Sequence, residues 1–127
     1  MDRKTFDSYI DAYNTADWHA VAGYYTSDIQ FESFGRTYVG LEVRDFLKRL
    51  HLGVRDEMTV SKITMADDTI AIEANTSIVA LTDVPHLPAG PLKAGEQRTV
   101  SMSVIYKTRG DQICAIQVRD LPSSSTY

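Results

Sequence analysis

The chain holds one cysteine, Cys114, and therefore no internal disulfide. It stands between Ile113 and Ala115, where it reads as a small buried hydrophobe, because a reactive thiolate needs an electropositive, partly exposed setting. The lack of paired cysteines suits a reducing compartment, and the charged opening Met1-Asp2-Arg3-Lys4 has no apolar signal region, so a cytoplasmic location is expected. Long hydrophobic runs are missing too. The longest purely aliphatic stretch, Ile78-Val79-Ala80-Leu81, is far too short to cross a bilayer. Positive charge is scarce and scattered: 13 basic side chains face 17 acidic ones, for a net charge of -4. Without a basic stripe, neither nucleic acid nor an acidic membrane surface is an expected partner.

Several chemical signatures are absent as well. There is no glycine-rich phosphate loop, no nucleotide fingerprint and no G-x-S-x-G elbow. His19, His51 and His86 lie far apart, without a zinc-like spacing. Neither a metal nor a cofactor is expected. Proline is rare, and three of the four fall in residues 82–96 together with two glycines and His86. That stretch reads as a long loop or lid between strands.

What is present is an ordinary globular composition, 43% hydrophobic and 24% charged over 127 residues, enough for one domain with its own core. The domain is expected over residues 1–121, with residues 122–127 as a loose polar tail. Phe6, Tyr9, Ile10 and Tyr13 follow the i, i+3, i+4, i+7 spacing of one helix face. Asn14-Thr15-Ala16 interrupts it, Asp17 is a good N-cap, and Trp18, Val21, Ala22 and Tyr25 repeat the spacing in a second helix. The period then changes to two. Ile29, Phe31 and Ser33 share a strand face, and Thr37-Tyr38-Val39 returns after a turn at Gly35-Arg36. A third helix follows Gly40, burying Val43, Phe46, Leu47 and Leu50 and ending at Gly53. Strands are then expected over residues 58–65, 69–81, 97–107 and 112–121. The order predicts an α+β fold, in which three N-terminal helices pack on a strongly curved, mostly antiparallel sheet that forms a cone around a pocket.

Three segments carry a family resemblance. Tyr9-Ile10-Asp11-Ala12-Tyr13-Asn14-Thr15-Ala16-Asp17-Trp18 resembles the helix-Asn-small-Asp-helix opening of nuclear transport factor 2-like, or SnoaL-like, proteins. Tyr24-Tyr25-Thr26-Ser27-Asp28-Ile29-Gln30-Phe31 resembles their second helix entering the first strand, and Gly40-Leu41-Glu42-Val43-Arg44-Asp45-Phe46-Leu47 their third helix. The resemblance implies a cystatin-like α+β barrel. Registered on ketosteroid isomerase, Tyr9 takes the place of the oxyanion-hole tyrosine, but Ser33 replaces the aspartate base and Met102 the protonated aspartate. A true ketosteroid isomerase is therefore not expected.

The same registration implies that Glu73, Asn75 and Ser77 face the cavity on one strand, and Gln117 and Arg119 on the last. Ile70, Ile72, Ala74, Thr76 and Ile78 would then form an aliphatic outer face that a homodimer covers. On this reading Glu73, Arg119, Tyr9 and Asn75 are the catalytic candidates. Glu73 is a general acid or base, or the ion-pair partner of Arg119, and Asn75 and Tyr9 donate to a carbonyl oxygen. Tyr13, Trp18, Phe31, Ser33, Tyr38, Phe46, His51, Ser77, Met102 and Gln117 are the expected substrate contacts. His51 sits either as a cation at a helix C-terminus or as an acid-base group at the cavity mouth. The expected activity is that of a cofactor-free isomerase, cyclase or dehydratase using general acid/base catalysis. Its substrate would be a small hydrophobic oxygenated molecule, polyketide-, terpenoid- or steroid-like. The alternative is a non-catalytic binder of hydrophobic ligands, or a dimeric scaffold whose pocket Tyr13, Phe46 and Met102 fill.

Overall fold

The computed structural model describes residues 1–33, 35–85 and 90–121. The Asp2 carboxylate accepts the Thr5 amide at 2.8 Å and starts α1 (Arg3–Asn14). Phe6, Tyr9 and Ile10 form its buried stripe, as the spacing predicts. Ala16 then adopts φ 56°, and Asp17 caps α2 (Trp18–Gly23) through the Ala20 amide. This left-handed step folds the two helices into a hairpin. The sequence pattern carries α2 on to Tyr25, but Tyr25 instead opens a strand, buried beside Ile113. Gly40 leads into α3 (Leu41–Gly53) with φ 60° and ψ -124°, and a Cβ there would lie 3.2 Å from the Ser27 carbonyl oxygen. Glycine is the residue that tolerates such a corner.

The strands are β1 (Tyr25–Ser33), β2 (Arg36–Val39), β3 (Val54–Met65), β4 (Thr69–Ala80), β5 (Gln97–Arg109) and β6 (Gln112–Asp120). They form one sheet in the order β2-β1-β6-β5-β4-β3. Neighbours are antiparallel except β1 and β6, which run parallel. β2 and β3 are edges, so the sheet does not close on itself, and with the helices it forms the α+β cone that the sequence predicts. Ser61 in β3 and Cys114 in β6 are extra residues opposite unbroken partners, and such bulges bend a strand. Between β4 and β5, Val84 bridges Leu92, which packs on Val54, Ile78 and Ala80 at one end of the sheet. His86 and the tail of residues 122–127 lie outside the described residues.

Burial reverses the strand faces that the registration implies. Ile70, Ile72, Ala74 and Thr76 are at most 2% exposed and face the helices, and Glu73, Asn75 and Ser77 face outward. The magnitudes decide this. Each isoleucine buried is worth ~1.5–3 kcal/mol, whereas an unpaired amide or carboxylate costs several to bury. On β6 the bulge at Cys114 shifts the phase. Ile113, Ile116 and Val118 are all buried, and Gln117 and Arg119 turn to the outer face.

Three expectations change with these faces. Glu73 and Arg119 do not pair, because β5 separates their strands; Glu73 meets Lys62 at 3.7 Å and Arg119 meets Glu32 at 3.2 Å. Cys114 is half-buried at the bulge, its thiol 3.5 Å from the Lys107 carbonyl oxygen, and not a core residue. The aliphatic row that argued for a back-to-back dimer is inside the cone.

Candidate functional site

Between the helices and the inner sheet face lies a cavity of about 80 Å³. Most of its wall is apolar: Phe31, Phe46, Leu47, Leu50, Val54, Met58, Ile78, Val100, Met102, Val104, Ile116 and Val118. The polar side chains that reach it are Tyr9, Tyr13, Ser33, Asp56, Thr76 and Tyr106. No lysine or arginine lines it among the described residues.

Asp56 is the charged group in this wall. It stands on the inward face of β3 between Val54 and Met58, and its side chain is 10% exposed. Oδ2 accepts the Tyr13 hydroxyl at 3.2 Å and lies 3.4 Å from Nε2 of His51, whose side chain is 5% exposed. Oδ1 is buried and has no hydrogen-bond partner among the described residues. A buried carboxylate oxygen without a donor costs on the order of 1–3 kcal/mol, so it is a candidate contact for whatever fills the cavity.

His51 reaches Asp56 from the last turn of α3. Its Nδ1 is 2.7 Å from the Leu47 carbonyl oxygen, one turn back, and a carbonyl can only accept. This assigns the hydrogen to Nδ1 and turns Nε2 toward Asp56. The Nε2 contact is within ion-pair distance but too poorly aligned for a hydrogen bond. Trp18 packs on the imidazole with ring centroids 4.4 Å apart, and Tyr13 lies edge-on at 5.6 Å.

The tyrosines are held as neutral donors. Burial, and then the Asp56 charge, push the Tyr13 hydroxyl well above the usual tyrosine range. Burial does the same to Tyr9, whose hydroxyl lies 2.8 Å from that of Tyr25. Asn14 holds α1 in place for this arrangement. Its side-chain amide donates to the Met58 carbonyl at 2.9 Å and accepts the Met58 amide at 2.8 Å, acting as a short strand on the β3 edge. That fixes Tyr13, its neighbour in sequence, against Asp56.

Of the sequence candidates, Tyr9, Tyr13, Phe31, Ser33, Phe46 and Met102 come together around the cavity. His51 stands behind Asp56, and Trp18 behind His51. Tyr38 stacks on Phe46 at 4.3 Å, outside the cavity wall. Glu73, Asn75, Ser77, Gln117 and Arg119 lie on the other face of the sheet. There Asn75 accepts from Ser101, Ser77 from Gln97, and Glu32 from both Gln117 and Arg119. Asp56 falls outside a third strand that starts at Met58; the strand begins at Val54, and the alternation Val54-Asp56-Met58-Val60 carries the signal. Among the described residues, no three His, Cys, Asp or Glu side chains gather as a metal set. No described helix is long and apolar enough to cross a membrane.

The profile of the SnoaL-like domain matches residues 6–116. No curated protein sequence matches the chain. Several solved structures share its fold. A candidate polyketide cyclase from Xanthomonas campestris pv. campestris is 20% identical, with TM-score 0.74 over 91% of this chain and 86% of the other. A protein of ketosteroid isomerase-like fold from Catenulispora acidiphila, in complex with trimethylamine, is 18% identical, with TM-score 0.75 over 98% and 90%. An LEH-like epoxide hydrolase from M. tuberculosis is 13% identical, with TM-score 0.73 over 91% and 78%.

Proposed function

The chain belongs to the SnoaL-like domain family, and we propose that it is a pocket enzyme of the isomerase, cyclase or dehydratase kind in which Asp56 moves the proton. One observation carries this reading: a buried carboxylate in an apolar cavity, tied through Oδ2 to His51 and Tyr13 and presenting Oδ1 without a partner. Oδ1 takes a proton from carbon beside a substrate carbonyl, and the electron pair moves onto the carbonyl oxygen. A neutral hydroxyl, Tyr9 in the first instance, stabilises that oxygen. The proton returns from Asp56 to another atom of the same molecule, or leaves with a hydroxyl as water. His51 and Tyr13 hold the carboxylate in place throughout. The wall selects a neutral, largely hydrophobic, oxygenated substrate of polyketide, terpenoid or steroid type, since it offers no cation to an acidic one. The polyketide cyclase and epoxide hydrolase names among its structural neighbours are compatible with acid-base chemistry in such a pocket.

Deuteration of cyclohexanone next to its carbonyl in D2O, followed by NMR, reads this chemistry without knowledge of the natural substrate. The protein accelerates exchange, and Asp56→Asn lowers the rate by ~100-fold or more. Glu73→Gln leaves it unchanged, because Glu73 meets Lys62 on the outer face. Full exchange in Asp56→Asn, or loss in Glu73→Gln, overturns the assignment. A non-catalytic binding pocket predicts no acceleration by the native chain.

A further inference from the structure

A second concavity, with room for about 210 Å³, lies between α2 and α3. Leu47 lines both it and the cavity described above. Its floor is apolar and aromatic, made by Trp18, Val21, Tyr25 and Leu47. Its rim is His19, Arg44 and Lys48, all exposed. Among the described residues, no acidic side chain lines it. Arg44 and Lys48 stand one turn apart on α3, where like charges repel. Neither takes part in an ion pair among the described residues. Glu42 and Asp45 lie on another flank of α3, beside Tyr38 and Arg49, which Lys48 also borders. In a chain of net charge -4, the groove is a local reversal of sign over an aromatic floor.

We propose that this groove is a binding site for a small aromatic carboxylate, independent of the reaction in the cavity. The ring lies against Trp18, which is half-buried in the groove, where aromatic contact adds to burial. The carboxylate sits between Arg44 and Lys48, where the guanidinium supplies a forked donor and the ammonium a second charge. The anion relieves the repulsion between the two cations, which a neutral ligand of the same shape does not.

Benzoate and benzamide, equal in shape and different in charge, test the site by titration into the 15N-labelled protein. Benzoate should move the amide signals of residues 18–22, Arg44 and Lys48 saturably, with a dissociation constant in the low millimolar range expected of so small a ligand. Benzamide should bind about tenfold more weakly, and added salt should erase most of the difference. The Arg44→Gln/Lys48→Gln double variant should bind both alike, and Lys48→Gln alone should lose part of the preference. Equal affinities in the native chain, a preference that survives the double variant, shifts centred on Phe46, Met102 and Val118, or no saturable shift would each overturn the proposal.

Discussion

Asn14→Ala tests whether one side chain sets the register between α1 and the sheet. Asn14 makes two hydrogen bonds to the backbone of Met58, a residue 9% exposed on the edge strand β3. Alanine leaves the Met58 amide and carbonyl without these partners. A buried backbone group left unpaired costs ~1–3 kcal/mol, and a bond replaced by water ~0.5–1.5 kcal/mol. The site is part-buried, so water reaches it incompletely, and the sum is about 2–3 kcal/mol. In a domain of this size that lowers Tm by roughly 6–12 °C. Urea unfolding followed by circular dichroism should show an earlier midpoint with an unchanged slope, since the same surface is exposed on unfolding. Asn14→Asp is the sharper variant. It keeps an acceptor for the Met58 amide but sets a carboxylate against the Met58 carbonyl, and should lose at least as much. Exposed ion pairs provide the scale: Arg3→Ala, which breaks the pair with Asp7 at 3.0 Å, should cost no more than ~0.5 kcal/mol. A loss below ~0.5 kcal/mol in Asn14→Ala, or an Asn14→Asp variant as stable as the native chain, refutes the reasoning.

Two further outcomes follow from the same packing. Burial pushes Tyr9, Tyr13, Tyr25 and Tyr106 above the usual tyrosine range. The unfolded chain then releases protons above pH ~10 that the folded chain retains, and stability falls by ~1.4 kcal/mol per pH unit for each such tyrosine. Alkali should therefore unfold the domain within about one to three pH units above 10, with these phenolates appearing together with the loss of circular dichroism; complete phenolate formation in a folded chain would contradict this. Gly40→Ala forces a Cβ into a φ of 60° and to 3.2 Å from the Ser27 carbonyl oxygen, and should cost ~1–3 kcal/mol in the same urea assay, whereas Gly110→Ala, with φ 65° and open space around it, should cost less.

The helices and the order of the strands are legible in the sequence because their signals are local. Phe6, Tyr9, Ile10 and Tyr13 need only the helical period, and Asn14 to Asp17 only turn and cap chemistry. The site was less legible, for a physical reason that β4 makes plain. A strand with Ile70, Ile72, Ala74, Thr76 and Ile78 on one side and Glu73, Asn75 and Ser77 on the other reports two faces but does not say which one the helices cover. Desolvation answers it: three isoleucines gain from burial what an unpaired glutamate and asparagine would lose. Registration on a relative that keeps polar groups inside its cone pointed the other way. On β6 no strict alternation gives the answer, because Ile113 and Ile116 are both buried across the bulge at Cys114. The same energetic rule meets an exception at Asp56. Asp56 stands among Val54, Met58 and Val60 on an inward row, where a carboxylate is costly. The fold tolerates it through His51 and Tyr13, and leaves one oxygen unsatisfied. A residue that breaks the rule which orders every neighbouring strand is where a requirement other than stability is most plainly written.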